Sequence, residues 1–177
     1  MSIIRSTTTF EIKRQQRAFS LIEVLVALVV LAIGMLGIAQ MLLLSHKANA
    51  SSYIRQQATQ SAYNIIDRMR ANRLAAIAGN YTVSNLAAEG TPTIPTAPAT
   101  NCTNTTCTTT QLAAYDTWYW LATDVSQLPN GCGSITTAPS GTNTLITVTV
   151  QWNDTPAQIV MGAANPAPTQ LTMQTEL

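Results

Sequence analysis

A single acidic residue, Glu23, lies at the start of a long apolar stretch. The 22 residues from Val24 to Ser45 carry no formal charge, which is enough for a helix to cross a ~30 Å hydrocarbon core at ~1.5 Å per residue. A carboxylate inside such a helix is costly and is functional by default. The chemistry open to it is pairing with a cation, because an unpaired charge is strongly disfavoured in a medium of low dielectric constant.

A basic leader precedes this stretch. Residues 1–18 contain four basic residues and one acidic residue, so the positive-inside rule predicts that they stay in the cytoplasm. A secretory signal is cut after a short apolar stretch of ~7–15 residues. The apolar stretch here is too long for that, and the better junction lies before it, between Ala18 and Phe19. An ordinary signal anchor with an incidental Glu23 is the alternative.

The residues after this junction read Phe19-Ser20-Leu21-Ile22-Glu23. They resemble the class III signal of type IV prepilins and type II secretion pseudopilins, in which Gly is usually followed by Phe-Thr-Leu-Ile-Glu. Ala18 replaces that glycine and Ser20 replaces the threonine. The resemblance implies that a prepilin peptidase cuts between Ala18 and Phe19, and that the new amino group of Phe19 is methylated.

The freed Phe19 amine would be cationic and one helical turn from Glu23. In a filament of staggered helices, Glu23 of one subunit can face the Phe19 amine of its neighbour, so the pair would select the axial register more than it adds stability. The resemblance implies the same role. The alternative is that the Glu23 carboxylate snorkels to the lipid headgroups.

Charge is scarce and unevenly distributed. Charged residues make up 10% of the chain, and no Lys or Arg follows Arg73. The acidic residues after that point are Glu89, Asp116, Asp124, Asp154 and Glu176. Because phosphate binding relies on Lys and Arg, we expect the exported part not to bind nucleic acid. The three aspartates do not form a calcium loop, and we place them on a solvated face.

Nothing in the sequence favours an enzyme. The single histidine, His46, and its neighbour Lys47 flank the membrane stretch, so nucleophilic hydrolysis by a Ser or Cys has little support. The same shortage of histidine argues against a zinc site. We therefore expect no catalytic residue, no metal and no cofactor.

The three cysteines, Cys102, Cys107 and Cys132, follow the apolar stretch and lie on the side that permits disulfides. A bridge between Cys102 and Cys107, across four residues, is the most economical pairing. It would leave Cys132 as a free thiol. The other two pairings and an all-reduced state stay open.

The apolar pattern continues beyond the membrane stretch as one face of an amphipathic helix. Its members are Ile54, Ala58, Ala62, Ile65, Met69 and Ala76. We predict one helix from about Phe19 to about Ala78, with Gly79-Asn80 as its C-terminal stop.

The rest of the chain predicts a loop, a short helix and a small sheet. Residues 81–110 are rich in Thr and Pro and predict the loop, and residues 111–127 predict the helix. Trp118, Trp120 and Trp152 are expected in the core. Alternation predicts a strong strand at 145–152 and weaker ones at 134–138 and 171–177, with Gly141-Thr142-Asn143 as a hairpin turn.

This order predicts an α+β, pilin-like fold. A long N-terminal helix, membrane-spanning in its first half, packs on a small C-terminal antiparallel β-sheet. We divide the chain into a cleaved leader (1–18), a transmembrane and assembly helix (19–45), an amphipathic continuation (46–78) and an exported globular domain (79–177).

Several downstream details are similar to the PilV-type minor pilins. They are the Cys102 to Cys107 loop, the Trp118/Trp120 pair, the Leu128-Pro129-x-Gly131-x-Gly133 turn, the Val148-x-Val150-x-Trp152 strand and the tail ending in Glu176-Leu177. The resemblance implies a minor pilin that takes part in type IV pilus assembly and priming, and so in twitching motility and adhesion. Such a subunit is held in the bacterial inner membrane by a single pass, with its C-terminal domain exported, until it enters the pilus (fimbrium).

The partners implied are the prepilin peptidase, the inner-membrane assembly platform, other minor pilins, the major pilin and a tip adhesin. Two other functions are compatible with the sequence. One is a minor pseudopilin of a type II secretion system. The other is a membrane-anchored periplasmic binding module with no filament role.

The processing prediction is tested by intact-mass spectrometry of the membrane-extracted protein. We expect a mature chain that begins at N-methyl-Phe19, because the basic leader and the apolar helix meet there. Replacing Ala18 by a bulky residue (Ala18→Trp) should leave the leader attached, whereas Ala18→Gly should be cut normally. A mature form that begins near Ala50, after the apolar stretch, would contradict the assignment.

Overall fold

The computed structural model describes residues 20–86, 92, 94–154 and 167–177. The leader and the predicted cleavage site at Ala18 and Phe19 lie outside the described residues. The chain divides into two compact units, Met1–Leu42 and Leu43–Leu177, and each is described by itself.

The first helix, α1, spans Leu21–Ala71 and continues through Gly34 and Gly37 without interruption. Between Leu21 and Leu44 its large apolar side chains are exposed. From Ile54 onward the helix buries one face, as the apolar spacing predicted. Ala58, Ala62, Ile65 and Met69 are fully buried there, and Ile54 packs against them.

The predicted single helix to Ala78 is wrong at one residue. Asn72 leaves helical geometry, with φ −114° and ψ 52°, and a second helix, α2, follows at Arg73–Ile77. The side chain of Asn72 donates hydrogen bonds to the Thr109 carbonyl (2.7 Å) and to the Tyr81 hydroxyl (3.2 Å). These hydrogen bonds compensate for the interruption of the helix. The break occurs at Asn72 because of these tertiary contacts, which the periodicity of the sequence cannot show.

The predicted stop after α2 is confirmed. Gly79 has a positive φ of 79°, a conformation that suits glycine. Its N–H donates to the Ala76 carbonyl and the Asn80 N–H donates to the Ala75 carbonyl. These bonds satisfy carbonyls that the end of a helix leaves free.

The sheet has four antiparallel strands in the order β1-β2-β3-β4. They are β1 (Val83–Ser84), β2 (Cys132–Ser140), β3 (Asn143–Trp152) and β4 (Thr169–Glu176). The three predicted strands are confirmed, β2 and β3 with longer bounds. The β2–β3 hairpin turns at Gly141-Thr142, where Gly141 has φ 61°. Strand β1 lies inside the predicted loop and was missed because two residues carry too little pattern.

The third helix, α3, spans Thr109–Tyr119 and starts two residues before the prediction. Thr108 and Gln111 form a reciprocal capping box, in which each side chain accepts a hydrogen bond from the backbone N–H of the other. This satisfies two donors at the helix start. A π-helical turn at Trp120–Asp124 and a 3₁₀ turn at Val125–Gln127 continue the chain to the predicted end.

One hydrophobic core joins the second half of α1 to the sheet and α3. The predicted α+β fold, a long helix packed on a small antiparallel sheet, is therefore confirmed. Trp120 and Trp152 lie in this core, whereas Trp118 is only half-buried and contacts the Tyr115 ring at 5.6 Å between centroids. The prediction of a core position was wrong for Trp118, which shares a partly exposed face of α3 with Tyr115.

Trp120 connects three elements. Its indole N–H donates to the carbonyl and the hydroxyl of Ser61 on α1, at 3.0 and 2.9 Å. Its ring lies against Gly133 of β2, so that a Cβ at that position would be 2.5 Å from a ring carbon. The absence of a side chain at Gly133 is thus what lets the indole pack between helix and sheet.

The expectation of a solvated face is wrong for two of the three aspartates. Asp116 is buried and forms a 2.7 Å salt bridge with Arg68. Its carboxylate also accepts a 2.8 Å hydrogen bond from the Tyr81 hydroxyl. Asp154 is buried too, and the Ser51 hydroxyl of α1 donates to it at 2.5 Å. Burial raises the pKa of the Tyr81 hydroxyl well above its ordinary value, so Tyr81 remains a neutral donor at neutral pH.

The packing of Trp120 on Gly133 gives a stability prediction. Gly133→Ala places a methyl group closer to the side chains of Trp120 and Leu121 than van der Waals contact permits. Because the core must shift to accommodate it, we expect the free energy of unfolding to fall by about 1–3 kcal/mol. Urea unfolding of the detergent-solubilised chain, followed by tryptophan fluorescence, measures it. All three tryptophans lie beyond Leu43, so the signal reports the second unit.

Thr136→Val is the matched control, because Thr136 is an exposed residue of the same strand and valine keeps a β-branched side chain. This variant should unfold within about 0.5 kcal/mol of the wild type. Equal stability of Gly133→Ala and the control would contradict the packing described for Trp120.

Candidate assembly site

Glu23 lies in the first turn of α1. Its backbone N–H donates to the Ser20 carbonyl at 3.0 Å, and the Val24 N–H shares the same carbonyl at 3.3 Å. A carboxylate in the first turn of a helix is favoured by the partial positive charge of the unpaired N–H groups. An acidic residue therefore suits this position at the start of the helix.

The surroundings of the carboxylate are apolar. Glu23 borders a shallow groove on the surface of α1, whose other members are Val24, Ala27, Leu28 and Leu31. These residues lie on one side of the helix because they recur at steps of three and four. Within the part of the chain that the structure describes, Glu23 forms no ion pair. The site is a single charge on an otherwise apolar helical surface.

The first predicted partner, the amine of Phe19, lies outside the described residues, as does Ala18. Cleavage, methylation and the pairing of Phe19 with Glu23 therefore stay predictions. The pairing depends on the four-residue spacing of Phe19 and Glu23 in the sequence, which corresponds to about one helical turn.

The helix that carries Glu23 is long and apolar enough to cross a membrane, judged by length and composition. Its exposed apolar side chains between Leu21 and Leu44 form a continuous surface. Water does not favour such a surface, whereas lipid or neighbouring helices would cover it. This part of α1 is therefore suited to an apolar environment, either a membrane or a bundle of helices.

The disulfide loop is a second candidate feature. Cys102 and Cys107 are bonded, with their Cα atoms 5.6 Å apart, so the predicted local pairing is confirmed. Side-chain hydrogen bonds order the loop independently of the bridge. The Asn101 side chain accepts from the backbone N–H and the hydroxyl of Thr103, and the Thr105 hydroxyl donates to the Asn101 carbonyl.

The third cysteine, Cys132, is a free thiol buried at the start of β2. Its sulfur lies 3.6 Å from the carbonyl of Asn130. The described residues contain no cluster of three or more His, Cys, Asp or Glu side chains that could hold a metal ion. Burial makes this thiol a core residue, with poor access for oxidants or alkylating reagents.

Two comparisons with known families agree with this arrangement. Residues 13–39 match the family described as Prokaryotic N-terminal methylation motif. Residues 41–118 match the family described as Type IV pilin Tt1218, and the two matches together span more than half of the chain. This chain belongs to the type IV pilins. No curated protein and no solved structure matches it.

The two matches divide the pilin in a way that follows its structure. The first contains Glu23 and the start of α1, and the second runs from residue 41 of α1 through α2, β1 and the disulfide loop to Trp118 of α3. Strands β2, β3 and β4 lie beyond both matches. The family is a structural one, so an assembly surface is the relevant kind of site.

Sequence reasoning missed the residues that hold α1 on the rest of the pilin's second unit. Arg68 forms its salt bridge to Asp116 and also lies 4.8 Å from the centre of the Tyr119 ring. Asp116 and Tyr119 lie three residues apart on α3, about one helical turn, so both can face the same side chain of α1. The sequence alone does not show which cation reaches Asp116.

The disulfide assignment is tested by peptide mapping of the pilin under non-reducing conditions. We expect a peptide that joins Cys102 to Cys107 and an alkylation-resistant Cys132 that reacts after unfolding, because its thiol is buried. Replacing both bridge cysteines by serine should weaken the local loop more than the sheet, since a short loop contributes little chain entropy. A linked peptide that contains Cys132 would contradict the pairing.

Proposed function

We propose that this type IV pilin is a minor pilin that takes part in the assembly and priming of the pilus, and so in twitching motility and adhesion. The observation that carries the proposal is the isolated Glu23 carboxylate on an exposed apolar helix, four residues after Phe19. A charge placed in this way is suited to choosing an axial register among staggered helices.

Three features support this proposal. The first is the resemblance of the Cys102 to Cys107 loop, the Trp118/Trp120 pair and the C-terminal tail to PilV-type subunits. The second is the match of residues 41–118 to a type IV pilin family, which favours a pilus over a secretion system. The third is the scarcity of cations beyond Arg73, which suits contacts with other proteins better than with nucleic acid.

The proposed route has three steps. The basic residues of the leader (1–18) keep it in the cytoplasm. Helix α1 crosses the inner membrane once, and the domain after it is exported. A prepilin peptidase then cuts between Ala18 and Phe19, and Phe19 is methylated. The mature subunit moves from the membrane into the pilus through the assembly platform, where it contacts other minor pilins, the major pilin and a tip adhesin.

The genetic test is deletion followed by complementation with the full chain. Loss of surface pili with type II secretion intact supports the proposal. Loss of secretion with pili intact would assign the chain to the pseudopilins instead. A chain whose leader is never cut, and whose loss affects neither system, would indicate a membrane-anchored binding module.

The role of Glu23 gives the sharpest prediction. Glu23→Ala should still be inserted and cut, because the apolar helix and the basic leader are unchanged. It should enter complexes with other pilin subunits much less, because the Phe19 amine of a neighbour loses its partner in an apolar bundle. Crosslinking from α1, with immunoblots of membrane and sheared-pilus fractions, measures both quantities.

Gln40→Ala is the matched control, since Gln40 is an exposed polar residue of the same apolar helix but carries no charge. It should enter complexes at the wild-type level. Normal complex formation by Glu23→Ala would reject the register role. A loss shared equally by both variants would show that polarity in α1, and not the charge of Glu23, is what matters.

A further inference from the structure

The two edges of the sheet differ greatly. Strand β1 forms one edge and has only two residues, Val83–Ser84. Strand β4 forms the other edge with eight residues, Thr169–Glu176. Among the described residues β4 pairs with β3 alone. One edge is therefore too short to recruit another strand, and the other is long enough to do so.

The hydrogen bonds at the end of β4 define which backbone groups face outward. Leu177 and Thr144 exchange both of their backbone hydrogen bonds, each at 3.0 Å. In an antiparallel pair such residues alternate with residues whose N–H and C=O groups point away from the partner strand. Gln170, Thr172, Gln174 and Glu176 therefore direct their backbone groups to the outer edge. We call these four residues the outward row.

Within the part of the chain that the structure describes, this edge lacks the usual protection. Natural sheets blunt a long edge with Lys, Pro, a bulge or a very short strand. Residues 169–177 contain no Lys, Arg or Pro, and Glu176 is their only charge. The register from Leu145↔Glu176 to Trp152↔Thr169 is continuous, without a bulge. An edge of this kind is a template for another strand.

We propose that the outward row of β4 accepts an extended strand from a different subunit of the pilus complex. The added strand would continue the sheet through backbone hydrogen bonds, the mode of recognition known as β-augmentation. The inference rests on the proposed function, because it names the surface by which this minor pilin holds a partner.

The side chains of β4 define the chemistry of the partner strand. Leu171 and Met173 point to the inner face, where they are half-buried and pack against the core. The outward row presents exposed, mostly uncharged polar side chains on the other face. A fitting strand carries apolar residues at alternate positions on the inner face, polar residues on the other, and a Lys or Arg beside Glu176.

A second copy of this chain fits poorly. It cannot supply the cation from its own strands, because no Lys or Arg follows Arg73.

The test is a proline in the outward row of the full-length chain. Thr172→Pro removes an N–H that faces the edge and leaves the bonds to β3 in place, because proline is tolerated where the N–H faces solvent. We expect wild-type insertion and thermal stability, but at least about tenfold lower co-purification with other pilin subunits, equivalent to about 1.4 kcal/mol.

Thr172→Ala is the matched control, because it also removes the Thr172 hydroxyl, 3.4 Å from that of Thr149, but keeps the N–H. It should co-purify as the wild type does. Should Thr172→Pro not fold, Gln170→Pro with Gln170→Ala repeats the test near the strand start. Hydrogen exchange adds a direct readout: amides of the outward row should exchange fast in the isolated chain and slowly in the complex.

Normal co-purification of a folded proline variant would overturn the inference, and so would an equal loss in the alanine control. Crosslinks between the β4 strands of two copies would overturn the choice of partner. If the wild-type chain itself co-purifies with no pilin-like subunit, the proposed function fails instead. The two failures are therefore distinguishable.

Discussion

The structure depends on one helix that must satisfy two environments. Up to Leu44, α1 exposes apolar side chains in every direction, as lipid or a bundle of helices requires. From Ile54 it buries a single stripe, because one side packs on the sheet and the other meets water. The change in pattern occurs within one continuous helix, so the anchoring element and the core-forming element are the same piece of chain.

Polar contacts then fix where the rest of the second unit packs on that helix. The Arg68–Asp116 salt bridge and the Ser61–Trp120 hydrogen bonds both join α1 to α3 and the turns that follow it. In this ion pair Asp116 is buried and Arg68 is half-buried. Such a pair adds little net stability, but its geometry is specific, and loss of Arg68 would leave the buried carboxylate without its partner. These contacts therefore select one packing of α3 among several that hydrophobic burial alone would allow.

The two candidate assembly features use different physics. In the proposed register role, Glu23 would offer a charge to a neighbouring helix in a medium where few charges are tolerated. The edge of β4 offers backbone hydrogen bonds in water, where specificity comes from the alternation of apolar and polar side chains. A subunit with both features would contact its neighbours in the pilus complex in two ways. The charge of Glu23 would set the axial register of its helix, and the edge of β4 would bind a strand of a partner subunit.

Features that depend on local pattern were predictable from the residues alone. These are the basic leader before an apolar helix, the position of Glu23, the buried stripe of α1, the stop at Gly79 and the strong β3 strand. Each is encoded within a few consecutive residues or a fixed period, and each is visible without knowledge of distant contacts. The Cys102–Cys107 bridge was the most economical of the possible pairings, and the structure was needed to choose it.

Only the tertiary structure decided the rest. The break at Asn72, the burial of Asp116 and Asp154, the half-exposed position of Trp118 and the strand β1 all depend on groups far away in sequence. Asp116, for example, is 48 residues from Arg68. The position of β4 at the edge of the sheet is likewise a property of strand order, not of residues 169–176 alone. Pairing between distant residues leaves no period in the sequence, and for that physical reason it could be found only after the chain was folded.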